Sequence, residues 1–353
     1  MFNKEISLGK YKIGYDQPVF IIAEVGVNHN GDVELAKELI REAARCGADC
    51  VKFQTFKAER VVLNDAPKAH YQLKTTSVDE SQLDMLKKLE MSMDAYVEII
   101  KCCEENNVLF ISTPYNIEDA DFLNELGVSA FKLASIHAAE PWFARHVACM
   151  NKPVILSTGM ATLSELDSTI RAIKETGNKD LILLQCTTNY PSMVEDSNLL
   201  AMKTMQDAFN VVVGYSDHTD DDIACIVSVA LGAKVIEKHF TLDKSLPGPD
   251  QSTSATPKEF ARLVKNIRNA ELSLGTSIKE PCAIEKINEK GMRRSVVAKC
   301  NIDKGVTITD DMIALKRPSS GISPLHINEI LGRKTLNAIN QDDLFKWSDI
   351  GEK

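Results

Sequence analysis

The stretch VGYSDHTDDDIACIVSVALGAKVIEKHF, residues 213–240, contains a short apolar run, a helical pattern and a second apolar run. The two runs are VVVGYSDH (211–218) and VIEKHFTL (235–242). Neither alternates strictly between apolar and polar residues, which is typical of strands that are covered on both faces. We therefore predict two neighbouring strands, with the helix between them packed outside the sheet. Each strand carries a histidine near its end, His218 and His239.

The same strand-then-helix unit recurs along most of the chain. Gly127, Gly177 and Gly232 stand where the helices of these units should end. The eight apolar runs span residues 19–27, 50–56, 108–115, 130–135, 153–159, 181–187, 211–218 and 235–242. Eight such units predict an α/β fold, a closed (β/α)₈ TIM barrel with its active site at the C-terminal ends of the strands. An open doubly wound sheet is the weaker alternative, because no GxGxxG turn follows the first strand.

Two segments depart from this rhythm. Residues 57–93 form a long insertion after the second strand, on the side where lids and substrate walls usually lie. After Gly275 the strand-then-helix units stop. We interpret residues 1–275 as the barrel domain, residues 276–290 as a linker and residues 291–353 as a small β-rich domain.

The composition is that of an ordinary globular protein and limits the partners to be expected. Of its 353 residues, 44% are hydrophobic and 26% are charged, and the formal net charge is −9. Because no long basic run occurs, neither a nucleic acid nor an anionic membrane is expected as a partner. The nine cysteines include no CxxC pair, which favours free thiols in a reducing compartment. Without a signal peptide or a bilayer-spanning run, the protein is expected to be cytoplasmic.

Polar side chains stand at the same end of all eight predicted strands. Burying such groups without partners is costly, so their concentration at one end indicates a site. In chain order they are Glu24, Lys52, Gln54, Thr113, Lys132, Ser135, Ser157, Thr187, Thr188, Tyr190, Ser216, Asp217, His218 and His239. This pattern is the strongest indication of function that the residues themselves provide.

Side-chain parity brings the two histidines toward each other. Residues two apart on a strand face the same way, so Ser216 shares a face with His218, and Glu237 shares one with His239. Two imidazoles with open remaining positions suit a transition metal such as Mn²⁺, Fe²⁺ or Zn²⁺. Nearby carboxylates that favour this interpretation belong to Glu24, Asp217 and Asp250. The alternative is a pair of hydrogen-bonded barrel histidines without a metal.

Lys52 and Lys132 have two functional interpretations. Either lysine could be a Schiff-base nucleophile, as in lysine-dependent aldolases, or both could bind the phosphate and carboxylate of an anion. Structural ion pairs with barrel carboxylates are the non-functional alternative. Neighbouring hydroxyl groups favour the anion cradle, because hydroxyls and ammonium groups together satisfy a phosphate. These hydroxyls belong to Thr113, Ser135, Ser157 and Ser216, and the rest of the pocket would be lined by Tyr115, Tyr190 and His137.

Seven motifs resemble those of the nonulosonate (sialic acid) synthase family, which includes N-acetylneuraminate and legionaminate synthases. They are IAEVGVNHNGD, VKFQTF, STPY, FKLAS, VILSTGMATL, GYSDHT and IEKHFTLDKSLPGPD. The tail segment KCNIDKGVTITDDMIALKRPSSGISP resembles the antifreeze-protein-like (SAF) domain of the same family. The resemblance implies condensation of phosphoenolpyruvate with an open-chain N-acylmannosamine-type sugar, an N-acylated hexosamine. The product would be a nine-carbon 2-keto acid, and phosphate would be released.

The resemblance also implies roles for individual residues. A divalent metal, usually Mn²⁺ with Mg²⁺ or Co²⁺ as alternatives, would be held by His218 and His239, and Glu24 would be the acid–base residue. The residues that match the phosphoenolpyruvate site are Lys52, Thr113, Lys132, Ser135, Ser157 and Ser216. Those that match the sugar site are Gln54, Tyr190, Asp250 and, from the SAF domain of a partner subunit, Arg317. The implied assembly is a domain-swapped homodimer.

Three positions depart from the family pattern. His137 follows the KLAS motif where sialic acid synthases carry a glutamate near the sugar, and Thr188 stands where many members have an asparagine near phosphoenolpyruvate. The tail reads KRPSSG beside Arg317 where KRPGxG is more usual. The metal pair, Glu24 and the lysines are unaffected, so the reaction class is expected to survive these changes.

The acceptor sugar stays open at this point. The candidates are N-acetylmannosamine, the di-N-acetylated 6-deoxy sugar that leads to legionaminate, and its pseudaminate counterpart. A non-catalytic sugar-binding barrel is the remaining alternative, and it is disfavoured because Glu24, both histidines and both lysines are present.

Overall fold

Eight parallel strands form a closed barrel in the first of two compact units, Met1–Gly275 and Thr276–Lys353. The computed structural model describes residues 1–68, 73, 76 and 80–352. The strands of the first unit are β1 (Glu5–Leu8) and β2 (Tyr11–Gly14), which form a hairpin, and the barrel strands β3 (Phe20–Gly26), β4 (Cys50–Thr55), β5 (Leu109–Pro114), β6 (Phe131–Leu133), β7 (Val154–Ser157), β8 (Leu181–Cys186), β9 (Val212–Asp217) and β10 (Val235–His239). Each barrel strand pairs with the next along the chain, and β10 pairs with β3. The predicted (β/α)₈ barrel is confirmed, and an open sheet is excluded.

The hairpin β1–β2 closes the N-terminal end of the barrel. Its residues Ile6, Leu8 and Ile13 are fully buried in one cluster with side chains inside the barrel, among them Ile22 and Ile111. This hairpin was not predicted from the sequence, because its strands are short and mix charged with apolar residues. The barrel interior is therefore apolar near the N-terminal ends of the strands, and the buried polar side chains lie toward their C-terminal ends.

Helices cover the outside of the barrel. Their bounds are Val33–Arg45, Ala58–Val61, Gln82–Lys87, Met93–Glu105, Ile117–Glu125, Pro141–Ala148, Leu163–Glu175, Ala201–Phe209, Ile223–Ala230 and Pro257–Leu274. Polar side chains cap several of their first turns: Asp32 accepts hydrogen bonds from the amides of Glu34 and Leu35, and Thr162 forms a capping box with Glu165. These caps fix where each loop after a strand ends, and those loops surround the C-terminal end of the barrel.

The second unit contains a small antiparallel sheet, β11 (Ser295–Ala298) paired with β12 (Ile313–Lys316), beside an apolar core. Its helices are Ala283–Met292 and Ile327–Ile330. The first of these helices overlaps residues 276–290, which were interpreted as a linker from the sequence. Ile284 and Ile287, three positions apart, are the helical signal that this interpretation overlooked, and both side chains are exposed.

All nine cysteines are free in the structure, which agrees with the prediction of free thiols. Six of them are buried, and the exposed ones are Cys149, Cys282 and Cys300. Within the described part of the chain, no helix combines the length and the apolar character needed to cross a membrane.

Gly214 in β9 stands where no larger side chain fits, so its replacement tests the barrel packing. A Cβ atom at this position would lie 2.4 Å from the carbonyl oxygen of Val235 and 2.7 Å from a methyl carbon of Leu184. Because a strand backbone cannot shift without disturbing its hydrogen-bond ladder, we expect Gly214→Ala to lower the free energy of unfolding by about 1–3 kcal/mol. Urea unfolding followed by circular dichroism measures this change.

Gly291→Ala is the matched control for this prediction. Gly291 lies in a helix, and a Cβ atom there would meet no described atom within 4 Å. This control is expected to leave stability unchanged or to raise it by up to about 1 kcal/mol. Equal unfolding midpoints for Gly214→Ala and the wild-type protein would contradict the close approach of β9 and β10.

Candidate active site

A polar cavity opens at the C-terminal ends of the barrel strands. Its lining residues are Glu24, Lys52, Gln54, Thr113, Tyr115, Lys132, Ala134, Ser135, Ser157, Cys186, Tyr190, Ser216, His218, Glu237 and His239. Most of the residues that the sequence singled out as site residues are among them. The structure thus brings together side chains from all eight barrel strands and the loops that follow them, as the barrel rule leads one to expect.

Four charged side chains lie at the base of this cavity: Glu24, Lys52, Lys132 and Glu237, which we call the charged quartet. The ammonium group of Lys52 lies 2.7 Å from a Glu24 carboxylate oxygen and 3.7 Å from Oε1 of Glu237. The ammonium group of Lys132 lies 3.5 Å from the same Glu237 oxygen and donates a 2.7 Å hydrogen bond to Ser157. All four side chains are at most 5% exposed. Two cations therefore balance two anions in a region from which most water is excluded.

Glu237 was not singled out as a site residue from the sequence. Its Oε1 accepts a 3.0 Å hydrogen bond from Ser216, and its Oε2 is buried without a hydrogen-bond partner among the described residues. Burial favours the neutral acid, but the two lysines outweigh that effect and lower the pKa of Glu237. Two signals were available in the sequence: Glu237 shares a strand face with His239, and two buried lysines require counter-charges.

Glu24 and its partners form a chain of hydrogen bonds. Burial raises the pKa of the Glu24 carboxyl well above its usual range, against the opposing effect of Lys52. Oε1 of Glu24 accepts a 3.3 Å hydrogen bond from the Gln54 amide, whose own oxygen accepts a 3.0 Å bond from the Tyr115 hydroxyl. The hydrogen bond from Gln54 therefore holds Oε1 of the carboxyl in place. The raised pKa makes the protonated form of the carboxyl accessible.

The two lysines differ in their electrostatic surroundings. Burial would lower the pKa of Lys52, but Glu237 and Glu24 outweigh burial, so the pKa is raised. For Lys132 burial is the larger effect, and its pKa is lowered despite the attraction of Glu237. Lys132 is consequently the lysine that loses its proton more readily, which bears on the Schiff-base alternative.

His218 and His239 face each other across the cavity, with ring centroids 5.5 Å apart. The ring of Tyr190 lies 4.1 Å from that of His218 and 5.5 Å from that of His239. Nδ1 of His218 lies 2.5 Å from the Thr187 carbonyl oxygen, so Nδ1 carries the proton and Nε2 keeps its lone pair. Burial is the main reason that the pKa values of both imidazoles are lowered.

These features are compatible with a metal site. Both imidazoles are neutral, as metal ligands must be, and the Thr187 carbonyl fixes the tautomer of His218 in the way that outer partners of metal ligands do. Nδ1 of His239 is buried without a hydrogen-bond partner among the described residues. The described residues contain no cluster of three or more His, Cys, Asp or Glu side chains placed to hold a metal. An ion bound by the pair would therefore keep positions for water or substrate.

The carboxylate of Asp217 does not join the histidines, contrary to the expectation from the sequence. It is buried on the outer face of the barrel, where it pairs with Lys238 at 2.5 Å. The reason is the alternation of side chains along β9, which turns Ser216 and His218 inward and Asp217 outward. Asp250 does approach the pair: its Oδ2 lies 4.0 Å from Nδ1 of His239, and burial raises its pKa to about 6.

His137 and Thr188 do not line the cavity. The His137 ring is fully buried behind Tyr115, with ring centroids 6.0 Å apart, and its Nδ1 accepts a 3.0 Å hydrogen bond from the Ala134 amide. Burial lowers the pKa of His137 to about 3. Thr188 is exposed. Its hydroxyl would lie 2.5 Å from a Cβ atom added to Gly159, so position 159, between Thr188 and Ser135, accepts only glycine. Substrate contact by either side chain remains a prediction.

Arg317 belongs to the second unit. Its Nε donates a 3.1 Å hydrogen bond to the carbonyl oxygen of Met292, and the side chain is exposed. Its predicted role at a sugar site remains a prediction.

A larger cavity of about 900 Å³ lies at the opposite end of the barrel, beside the β1–β2 hairpin. Three of its charged residues are paired with one another: Arg268 lies 3.2 Å from Asp49 and 2.9 Å from Glu271. Asp49 and Glu271 also accept hydrogen bonds from the backbone amides of Ile21 and Val19. Because these groups are satisfied, size does not make this cavity the better candidate for chemistry.

Two family models match the chain. The model described as the NeuB family matches residues 39–279, and that of the SAF domain matches residues 293–351. The chain belongs to the NeuB family. The resemblance identified from the sequence motifs is thereby confirmed for both units.

Relatives of this NeuB-family chain are similar over nearly their full length. It is 45% identical over 328 residues to N,N′-diacetyllegionaminic acid synthase of Campylobacter jejuni, covering 92% of this chain and 98% of that protein. It is 41% identical over 341 residues to the protein of the same name from Legionella pneumophila, covering 96% of each. Among solved structures, N-acetylneuraminic acid synthetase of Leptospira borgpetersenii is 34% identical with a TM-score of 0.72, covering 81% of this chain and 95% of that one.

Proposed function

We propose that this NeuB-family chain condenses phosphoenolpyruvate with an open-chain, N-acylated aminohexose. The product is a nine-carbon 2-keto sugar acid, and phosphate leaves by cleavage of its bond to C2 of phosphoenolpyruvate. The observation that carries the proposal is the joint presence of the charged quartet and the neutral histidine pair in one buried cavity. The first provides an anion site, and the second provides a carbonyl site.

The anion site consists of the two lysines and the hydroxyl groups around them. Thr113 lies 3.5 Å from the Lys52 ammonium group, and Ser157 lies 2.7 Å from that of Lys132. Ammonium and hydroxyl donors together match the phosphate and carboxylate of phosphoenolpyruvate. The quartet is neutral when all four groups are ionised, and protonation of Glu24 would give it a net positive charge. The raised pKa of Glu24 makes that state accessible when an anion enters.

The carbonyl site consists of His218, His239 and Tyr190. The two imidazoles would hold a divalent ion, proposed here as Mn²⁺, which would supply Lewis-acid polarisation of the sugar aldehyde when bound. Tyr190 packs against both imidazole rings and holds their orientation. Asp250, whose Oδ2 lies 4.0 Å from Nδ1 of His239, is the proposed partner of a sugar hydroxyl or amide.

Glu24 is the proposed acid–base residue. The Gln54 amide donates a hydrogen bond to one oxygen of its carboxyl, and the Lys52 ammonium group lies 2.7 Å from the other, so the carboxyl is held beside both the anion site and the carbonyl site. A carboxyl with a raised pKa can both accept and return a proton near neutral pH. It can therefore serve the addition of water at C2 or the protonation of the new alkoxide.

For the acceptor, we propose the di-N-acetylated 6-deoxy sugar that leads to legionaminate. The support is that relatives 45% and 41% identical to this chain are named N,N′-diacetyllegionaminic acid synthases. His137, which replaces the glutamate of sialic acid synthases, lies behind Tyr115 and so next to the Gln54 side of the cavity.

A direct test follows phosphate release from phosphoenolpyruvate. The protein is treated with a chelator, Mn²⁺ is restored, and the three candidate sugars are compared, with the product identified by its mass. Phosphate release that requires both metal and sugar, fastest with the di-N-acetylated sugar, is the expected result. Release that needs no sugar, or that is unchanged by chelation, would count against the proposed reaction. Release fastest with another sugar would overturn only the acceptor.

A lysine aldolase is the second candidate, and the lowered pKa of Lys132 is the observation that favours it. Incubation with pyruvate and borohydride would then attach a three-carbon group to Lys132. We expect no such adduct, because the Lys132 ammonium group is hydrogen-bonded to Ser157 and lies close to Glu237.

We also propose that the active form is a domain-swapped homodimer in which Arg317 of one subunit binds the sugar in the barrel of the other. The support is the sequence resemblance, the SAF-domain match and the exposed position of Arg317.

Removal of the His137 side chain is expected to weaken sugar binding selectively. His137→Ala leaves a space behind the Tyr115 ring, and Tyr115 in turn holds Gln54. We expect the KM for the sugar to rise about tenfold, because small displacements of positioning groups have effects of at least this size. The KM for phosphoenolpyruvate should change less, since the two lysines of the anion site contact Thr113 and Ser157 rather than Tyr115. Steady-state kinetics with each substrate varied in turn measures both constants.

His146→Ala serves as the control for this variant. His146 is half-buried in the next helix and pairs with Asp121 at 2.8 Å. It should leave both KM values unchanged. A parallel rise in the KM of both substrates for His137→Ala would contradict the proposed path through Tyr115.

A further inference from the structure

We infer that the buried ion pair between Asp217 and Lys238 positions His218 and His239 for their ligand. The nature of that ligand, a divalent cation, rests on the proposed function. Asp217 and Lys238 precede His218 and His239 in the chain, and their side chains lie on the outer face of the barrel, away from the cavity. They are positioning residues, since neither lines the cavity.

The ion pair joins β9 to β10 at the level of the histidines. Asp217 and Lys238 are register partners in the ladder between the two strands. The Lys238 ammonium group lies 2.5 Å from Oδ2 of Asp217 and donates hydrogen bonds of 2.7 Å to the Thr219 carbonyl and 3.0 Å to the Asp221 carbonyl. All three of its hydrogens are thus used. One lysine therefore bonds to the side chain of the residue before His218 and to the backbone of the residue after it.

The Asp217 carboxylate adds further bonds to this ion pair, and we call the ion pair and the groups bonded to it the brace. Its Oδ1 accepts a 2.9 Å hydrogen bond from the Thr219 amide and lies 3.1 Å from the Tyr215 hydroxyl. Its Oδ2 accepts a 3.2 Å hydrogen bond from the Cys225 thiol on the covering helix. The Asp217 side chain is fully buried and that of Lys238 is 6% exposed. The turn that carries His218 is therefore fixed by charged, water-excluded bonds, which are the strong ones.

The histidines depend on this brace because they have few direct supports. His218 has its Nδ1 contact with the Thr187 carbonyl. Nδ1 of His239 has no hydrogen-bond partner among the described residues. The direction of the His239 ring is therefore set by the backbone of β10, to which Lys238 belongs, and by packing against Tyr190. A shift of β10 relative to β9 would change the separation of the two imidazoles directly.

The test measures Mn²⁺ binding without substrates, from the electron paramagnetic resonance signal of free Mn²⁺. The variants are Asp217→Asn, Lys238→Met and the double variant, each assayed at a temperature where circular dichroism shows it folded. We expect the Kd for Mn²⁺ to rise about 10- to 100-fold in all three, the range found for residues that support metal ligands. The double variant removes both buried charges and so leaves neither charge unpaired. A change in its Kd therefore reports the loss of positioning and not the loss of stability. It is expected to regain stability without regaining affinity.

Asp49→Asn is the matched control. Asp49 is a half-buried ion-pair partner at the opposite end of the barrel, where it contacts Arg268 and the Ile21 amide. It is expected to lower the melting temperature and leave the Kd unchanged. Wild-type affinity in the double variant would overturn the inference and leave the proposed metal site standing. Absence of Mn²⁺ binding by the wild-type protein would overturn the metal site and the inference together.

Discussion

The Glu24→Gln variant is expected to release phosphate about a hundredfold or more slowly than the wild-type protein, the lower end of the range for loss of an acid–base group. Glutamine keeps the shape and the hydrogen bond to Gln54 but cannot take up or return a proton. It also removes the 2.7 Å partner of Lys52, so the charged quartet gains a net positive charge. We therefore expect kcat to fall while the KM for phosphoenolpyruvate stays unchanged or falls.

Steady-state phosphate release with saturating sugar and Mn²⁺ and with varied phosphoenolpyruvate measures both constants. Glu90→Gln is the control: Glu90 pairs with Lys57 at 2.8 Å outside the cavity and should have no effect on kcat. Thermal unfolding of both variants checks that each is folded at the assay temperature. Wild-type kcat in a folded Glu24→Gln variant would remove Glu24 from the proposed mechanism.

The His239→Ala variant is expected to lose both metal binding and turnover. One of two imidazole ligands disappears, and the described residues offer no further cluster of metal-binding side chains to replace it. The Kd for Mn²⁺ should rise by more than the roughly 10- to 100-fold typical of residues that only support a ligand. The rate of phosphate release should fall together with the Mn²⁺ affinity. Raising the Mn²⁺ concentration as far as the assay allows should not restore it.

Isothermal titration with Mn²⁺ measures the affinity independently of catalysis. His29→Gln is the matched control, because His29 is also a buried imidazole in a loop at the end of a barrel strand but does not line the cavity. Its Nδ1 accepts a hydrogen bond from Gly31, which a glutamine oxygen can replace. Equal Mn²⁺ affinity for His239→Ala and His29→Gln would show that His239 is not a ligand.

The barrel and most of its site could be predicted because both follow from short-range rules. Strand-then-helix units are visible as local patterns, and eight of them close into one barrel. Alternation along a strand then places Ser216 and His218 inward, and the common polar end of the strands gathers Lys52 and Lys132 in one cavity. None of these steps requires knowledge of how distant side chains pack.

The features that were missed or wrong have different causes, and only some of them involve long-range packing. Asp217 was expected near the histidines because it is next to one in sequence, but alternation turns it outward toward Lys238. Glu237 was passed over because its importance comes from two lysines on other strands. His137 lies in a turn after its strand, where alternation no longer applies, so its position behind Tyr115 could not be derived.

The barrel closes where Val235 of β10 pairs with Phe20 of β3, whereas every other barrel strand pairs with its neighbour along the chain. A chain emerging from the ribosome can therefore add strands one at a time. Until β10 is made, β3 and β9 both present unpaired backbone edges, which favour association with other chains. Strand β10, Val235–His239, pairs with both of those edges, and its last residue is His239. Closure of the two barrel edges and completion of the histidine pair thus depend on the same strand.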